Sequence, residues 1–187
     1  MAAFQFNNHK NLEGKHSVLS PSQHAWMGYT DAKFRTTFSS KLAVERGTRL
    51  HELASRLIKE GVNLEKAPKT LNLFVNDAIG FQMESEVPLY YSPNAFGTTD
   101  AISFRGGKLR VHDYKSGRTK ASMKQLVAYV AYFCLEYGIK PTDIEKELRI
   151  YQSNEVGIYI PNDVEILDTM ERIIRFDRIA EELKNGE

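Results

Sequence analysis

At 187 residues and 21.3 kDa, with 42% hydrophobic and 26% charged positions, the chain is long enough for one globular domain with a buried core. Twenty-five Lys and Arg against 24 Asp and Glu give a net charge of +1, which excludes a bulk polycation and an acidic disordered tail. The single cysteine, Cys134, excludes an internal disulfide, a cysteine zinc site and a four-cysteine iron–sulfur cluster.

Residues 1–18 are polar and aperiodic and read as a loose arm, followed by one domain over 19–187. No apolar h-region opens the chain, and the longest apolar run, Leu126 to Leu135, is too short to span a bilayer. The expectation is a soluble, cytoplasmic protein with no membrane partner. Ser20-Pro21-Ser22 is a helix start, with Ser20 as N-cap and Pro21 at the first helical position. That helix would turn Trp26, Tyr29 and Phe34 inward. The stripe Leu50, Leu53, Ala54, Leu57 and Ile58 predicts a second helix over about 42–59, stopped by Gly61, and a third begins at Pro68. Strands are predicted over 87–91, 98–105 and 108–115. An apolar helix follows over 121–137, then short strands over 147–152 and 157–160 and an amphipathic helix over 163–184. This order predicts an α/β fold: a central mixed β-sheet flanked by helices.

Gly106-Gly107 sits between two strand-like runs, and a two-residue type I′ turn needs positive φ at both of its positions. With that turn, paired positions sum to 213: Arg105 faces Lys108, Phe104 faces Leu109, Ile102 faces Val111, and Asp100 faces Asp113. Directly opposed like charges are destabilising, so two such carboxylates require a cation between them or a proton on one of them. Oxygen ligands in this arrangement suit Mg²⁺ or Mn²⁺. Lys115 projects to the same side as Asp113 and places an ammonium where it can orient or deprotonate a water. Arg110, His112 and Tyr114 point to the other face, although the Tyr114 carbonyl remains within reach of the metal. A plain surface salt bridge between Asp113 and Lys115 fits the spacing equally well.

The stretch Gly97-Thr98-Thr99-Asp100, followed by Val111-His112-Asp113-Tyr114-Lys115-Ser116-Gly117, resembles the core of the PD-(D/E)XK nucleases. More narrowly it resembles their RecB-like and lambda-exonuclease-like branch. Three further elements are similar to that branch: Gly47-Thr48-Arg49-Leu50-His51, Glu86-Val87-Pro88-Leu89, and Gln125-Leu126-Val127-Ala128-Tyr129. The resemblance covers about residues 19–160 and implies a restriction-endonuclease-like core. It also implies a metal-dependent deoxyribonuclease, an exonuclease on DNA ends or single strands, working in recombination, repair or replication. By the same resemblance His51, Asp100 and Asp113 bind the metal with the Tyr114 carbonyl, and Glu86 supports the site. Lys115 positions the nucleophile, and Gln125 and Tyr129 hold the DNA strand or the lysine. The alternative is a nuclease-like module that grips DNA ends without cutting.

Gln125 and Tyr129 are four residues apart on one helix seam, where an amide and a phenol can bond a phosphate or stack on a base. Between Arg105 and Lys124 stand seven basic residues and one acid, whereas residues 163–187 carry eight acids and four bases. Positive charge is therefore expected around the metal site, with Arg118, Lys120 and Lys124 as phosphate contacts. No P-loop is present, so a nuclease of this kind would stand alone or act with separate recombination or replication proteins, and its compact size suits a phage-encoded enzyme.

Overall fold

The computed structural model describes residue 10 and residues 17–186, so the expected arm lies almost wholly outside the described residues. The chain divides into two compact units, Met1–Glu45 and Arg46–Glu187, with the boundary inside a helix. In the first unit, Pro21–Gly28 forms a 3₁₀ segment with a break at Gln23 rather than the expected α-helix. The Ser20 hydroxyl bonds Ser22 at 2.8 Å instead of capping, and the Ser20 carbonyl accepts from the Trp26 indole at 3.0 Å. Helix α1 spans Asp31–Glu60, so the separate helix expected from Leu42 is its second half. Thr30 precedes α1 and accepts from the Lys33 amide at 3.2 Å, which marks the true N-terminus.

The second unit is an α/β domain. It comprises the rest of α1, α2 (Thr70–Gly80), β1 (Glu84–Ser92), β2 (Ala95–Arg105), β3 (Lys108–Lys115), α3 (Lys124–Tyr137), β4 (Glu145–Gln152), β5 (Glu155–Tyr159) and α4 (Asp163–Asn185). The strands form one mixed sheet in the order β1-β2-β3-β4-β5, with only the β3–β4 pair parallel. A parallel neighbour requires a crossover, which α3 supplies. Gly106 and Gly107 take φ values of 57° and 76°, and the β2–β3 register is the expected one, with Arg105 opposite Lys108 and Ile102 opposite Val111.

Alternation along the strands splits the core into two layers. Ile102, Leu109, Val111, Leu148 and Ile150 pack with Leu126, Val127 and Val130 of α3 and Ile166 of α4. On the opposite face Ala101, Tyr114 and Tyr151 pack with Ala54 and Ile58 of α1 and Phe74, Val75 and Ala78 of α2. Strand β3 is thus covered on both sides, and at 0% exposure His112 is as buried as Val111. Among the described residues no helix is long and apolar enough to cross a membrane.

Candidate metal site

The ends of β2 and β3 that lie away from the glycine turn meet α1 on one face and α3 on the other. Helix α1 is held to β1 by the buried pair of Ser55 and Ser85 hydroxyls, 3.0 Å apart. That contact places His51, one turn earlier on α1, beside Glu86, the residue after Ser85. Gly47 makes a second close approach, since a Cβ there would lie 3.0 Å from the Ser116 hydroxyl.

Glu86 is the irregular point of β1. Its φ is +55°, in the left-handed region that costs a non-glycine residue about 1–2 kcal/mol. Ser85 still pairs with Ala101 and Val87 with Thr99, while Glu86 and Asp100 drop out of the ladder between them. The β2–β3 ladder likewise ends at Ala101 and His112, so Asp100 and Asp113 are not a ladder pair. Instead the Asp100 side chain takes over: its Oδ2 accepts from the Tyr114 amide at 2.7 Å, and its Oδ1 lies 3.2 Å from His51 Nδ1. The expected face-to-face geometry is thereby changed, because a side chain has replaced a backbone carbonyl as the partner of that amide.

Among the described residues, His51, Glu86 and Asp100 bring ligand atoms within 4.8 Å of one another and could together hold a metal ion. This set includes Glu86 and leaves out Asp113, whose charge interacts with those of Asp100 and His51. Asp113 is 3% exposed and lies close enough to Asp100 that the two charges are coupled. Burial first, and then the Asp100 charge, push the Asp113 carboxyl up to about 6 against the pull of Lys115. Burial and Asp100 also raise Glu86, while the hydrogen bond to Asp100 raises His51 against its own desolvation. The carboxylates are under mutual repulsion that a cation would relieve.

Lys115 Nζ lies 3.0 Å from Asp113 Oδ1 and 2.8 Å from Oδ2, with hydrogen-bond geometry to Oδ1 alone. The buried Oδ2 has no hydrogen bond among the described residues, an acceptor available to a further cationic partner. Lys115 also donates to Gln125 Oε1 at 3.0 Å. Gln125 Nε2 donates to the Tyr129 hydroxyl at 3.4 Å, and Tyr129 donates to the Thr98 carbonyl at 2.6 Å. The Tyr129 ring lies so close to β2 that a Cβ on Gly97 would approach Tyr129 Cε1 at 3.0 Å. Lys115, Gln125 and Tyr129 therefore form one run of contacts that aims the ammonium. Tyr114 enters the site through its amide and through its ring, which meets His51 edge-on at 5.2 Å.

The basic residues do not all gather here. Arg105 and Lys108 flank the turn, at the far end of the ribbon. Lys108 pairs with Glu147 at 3.0 Å, and Arg110 stacks over Phe81 at 4.6 Å on the α2 face. Strand alternation and the position of the turn disperse the expected stripe. Lys115, Arg118, Lys120 and Lys124 remain at the site end, on β3, the connecting loop and the start of α3.

That loop is held by a residue whose role the sequence did not reveal. Gln152, the β4 neighbour of Lys115, donates to the Gly117 and Thr119 carbonyls at 2.7 and 2.8 Å. Its Oε1 accepts from the Ala121 amide at 3.1 Å. A glutamine near a strand end carries no local signal of such a task; only the parallel β3–β4 register puts it beneath the loop. Neither the models of known protein families nor the curated proteins include a match to this chain.

Proposed function

We propose that the protein is a metal-dependent nuclease of the PD-(D/E)XK type, close to the RecB-like and lambda-exonuclease-like branch, hydrolysing DNA phosphodiester bonds at ends or in single strands. The observation that carries this reading is the pair of buried Asp113 and half-buried Lys115, contacted by Gln125 and Tyr129, beside a His51–Glu86–Asp100 cluster. Two carboxylates with one imidazole, and Asp113 adjoining them, form a hard donor set that fits Mg²⁺ or Mn²⁺. When bound, such an ion supplies Lewis-acid polarisation of the phosphate and lowers the pKa of water.

The chain's own residues supply orientation. An ammonium has three N–H donors; Asp113 and Gln125 take two from Lys115, which leaves one for the attacking water or a phosphoryl oxygen. Because that donor is fixed before substrate arrives, it stabilises developing negative charge with little reorganisation. Asp100 holds His51 at the cluster and at the same time binds the β3 backbone, which keeps helix and strand in register during turnover. Arg118, Lys120 and Lys124 offer charge for the polynucleotide backbone next to this centre.

The test is linear DNA labelled at one end, incubated with Mn²⁺, Mg²⁺ or chelator. Cleavage should require the metal, and Asp113→Ala or Lys115→Ala should lower it by at least ~10²-fold while each variant stays folded. Metal-independent binding without cleavage by the wild-type protein would replace this reading with a non-cleaving DNA-end module.

A further inference from the structure

One groove of the second unit leads away from the cluster on the α1 side. Its volume is about 610 Å³, and His51 and Glu86, two of the three clustered ligands, form part of its wall. The rest of the lining comes from α1: the buried Ser55 and the exposed Glu52, Arg56, Lys59 and Glu60 among it. Whatever fills the groove therefore touches α1 and two of the clustered ligands.

Arg56 is the one arginine among the described residues that line this groove. It is exposed, and among the described residues it makes no ion pair. Most other arginines of the sheet layer are committed: Arg149 to Asp77 at 2.8 Å and to Glu147, and Arg110 to Phe81 and Glu147. Glu52 and Glu60 lie one turn to either side of Arg56 and also line the groove, yet neither comes within ion-pair distance of it. Lys59 adds a second positive charge, which is felt by Glu86. At about 1.5 Å rise per residue, Arg56 sits about 7.5 Å and Lys59 about 12 Å along the helix from His51.

Resting on the nuclease reading, we propose that this groove is a polynucleotide subsite in which Arg56 anchors the phosphate next to the one being cleaved, with Lys59 behind it. Lys115, Gln125 and the basic loop flank the centre from the α3 side, and Arg56 flanks it from α1. A strand held by both crosses the end of the sheet, passing over Asp100 and Asp113. Arginine suits the position because its planar fork can bind two oxygens of one phosphate.

The experiment measures binding of a fluorescent single-stranded oligonucleotide by anisotropy, in chelator so that nothing is cut, across a salt series. Arg56→Ala is expected to weaken binding about two- to ten-fold and to reduce the slope of log K against log salt by about 0.7, the value for one lost phosphate contact. Arg56→Lys should keep the slope. Lys140→Ala, on an exposed lysine after α3, should match wild type. An unchanged slope in Arg56→Ala, or an equal loss in Lys140→Ala, overturns the subsite and leaves the nuclease reading standing. Absence of binding by the wild-type protein would overturn both.

Discussion

Replacing Asp113 by asparagine should stabilise the metal-free protein while abolishing the proposed nuclease activity. The carboxyl is 3% exposed, its Oδ2 is without a hydrogen bond among the described residues, and Asp100 repels it. Raised from 3.8 to about 6, the group is disfavoured in its charged form by about 3 kcal/mol at pH 8. Asparagine resembles the protonated acid in shape and charge, but it turns N–H donors toward a region that already holds the Lys115 ammonium. A net gain of about 1–3 kcal/mol is therefore expected, equivalent to ~2–12 °C in Tm for a domain of this size. The sign follows from linkage. A carboxyl whose folded pKa is raised contributes stability below its unfolded value, near 3.8, and loses it as pH rises through about 6. Wild type and Asp113→Asn should accordingly differ most above pH 7 and converge below pH 4. Thermal or urea unfolding in chelator across that range measures the difference. Addition of Mn²⁺ should then stabilise wild type more than the variant, because the ion relieves the repulsion that the substitution has already removed. A variant less stable than wild type at pH 8 in chelator, or a difference independent of pH, would refute the argument that this carboxylate is held against its own electrostatics.

Gly97→Ala should cut the proposed nuclease activity about ten-fold with a stability loss of only ~1–2 kcal/mol, since the new Cβ displaces the Tyr129 ring and with it the 2.6 Å bond to Thr98. Parallel unfolding and cleavage assays separate the two effects, and full activity would show that Tyr129 does not aim Lys115. Gln152→Leu removes three hydrogen bonds from the loop carrying Arg118 and Lys120, so trypsin should cut there about ten-fold faster while the global unfolding midpoint moves little. Buried His112, whose pKa burial and Arg149 lower to about 3, contributes stability above its unfolded value of 6.5 and loses it as pH falls toward 3. In the Asp113→Asn background, which removes the opposing titration of Asp113, stability should drop by about 2 kcal/mol between pH 7.5 and pH 5. That part of the drop should vanish when His112→Leu is added; an identical profile in both proteins would show that His112 does not titrate as its burial requires.

The hairpin register and the glutamine–tyrosine seam could be placed from the chain alone because each depends on local periodicity. Two glycines at positive φ set a ribbon whose register counts outward residue by residue, so Ile102 had to meet Val111. A four-residue step had to put Gln125 beside Tyr129, and the contact between them is present. What lay beyond local rules came from approaches between elements distant in sequence. Glu86 enters the cluster because the Ser55–Ser85 contact draws α1 onto β1 and a left-handed residue interrupts the strand there. Asp100 turns from a partner of Asp113 into a cap for the Tyr114 amide, which no pairing count anticipates. The basic stripe dissolved because neighbours in sequence point to opposite faces and opposite ends of a ribbon, and Gln152 gained its task only from a parallel register made by a helical crossover. Residue spacing thus determined the ribbon register and the helix seam. Which groups touch, and which carry a strained charge, was decided by packing, because the free energy of a buried charge depends on all its neighbours and not on its place along the chain.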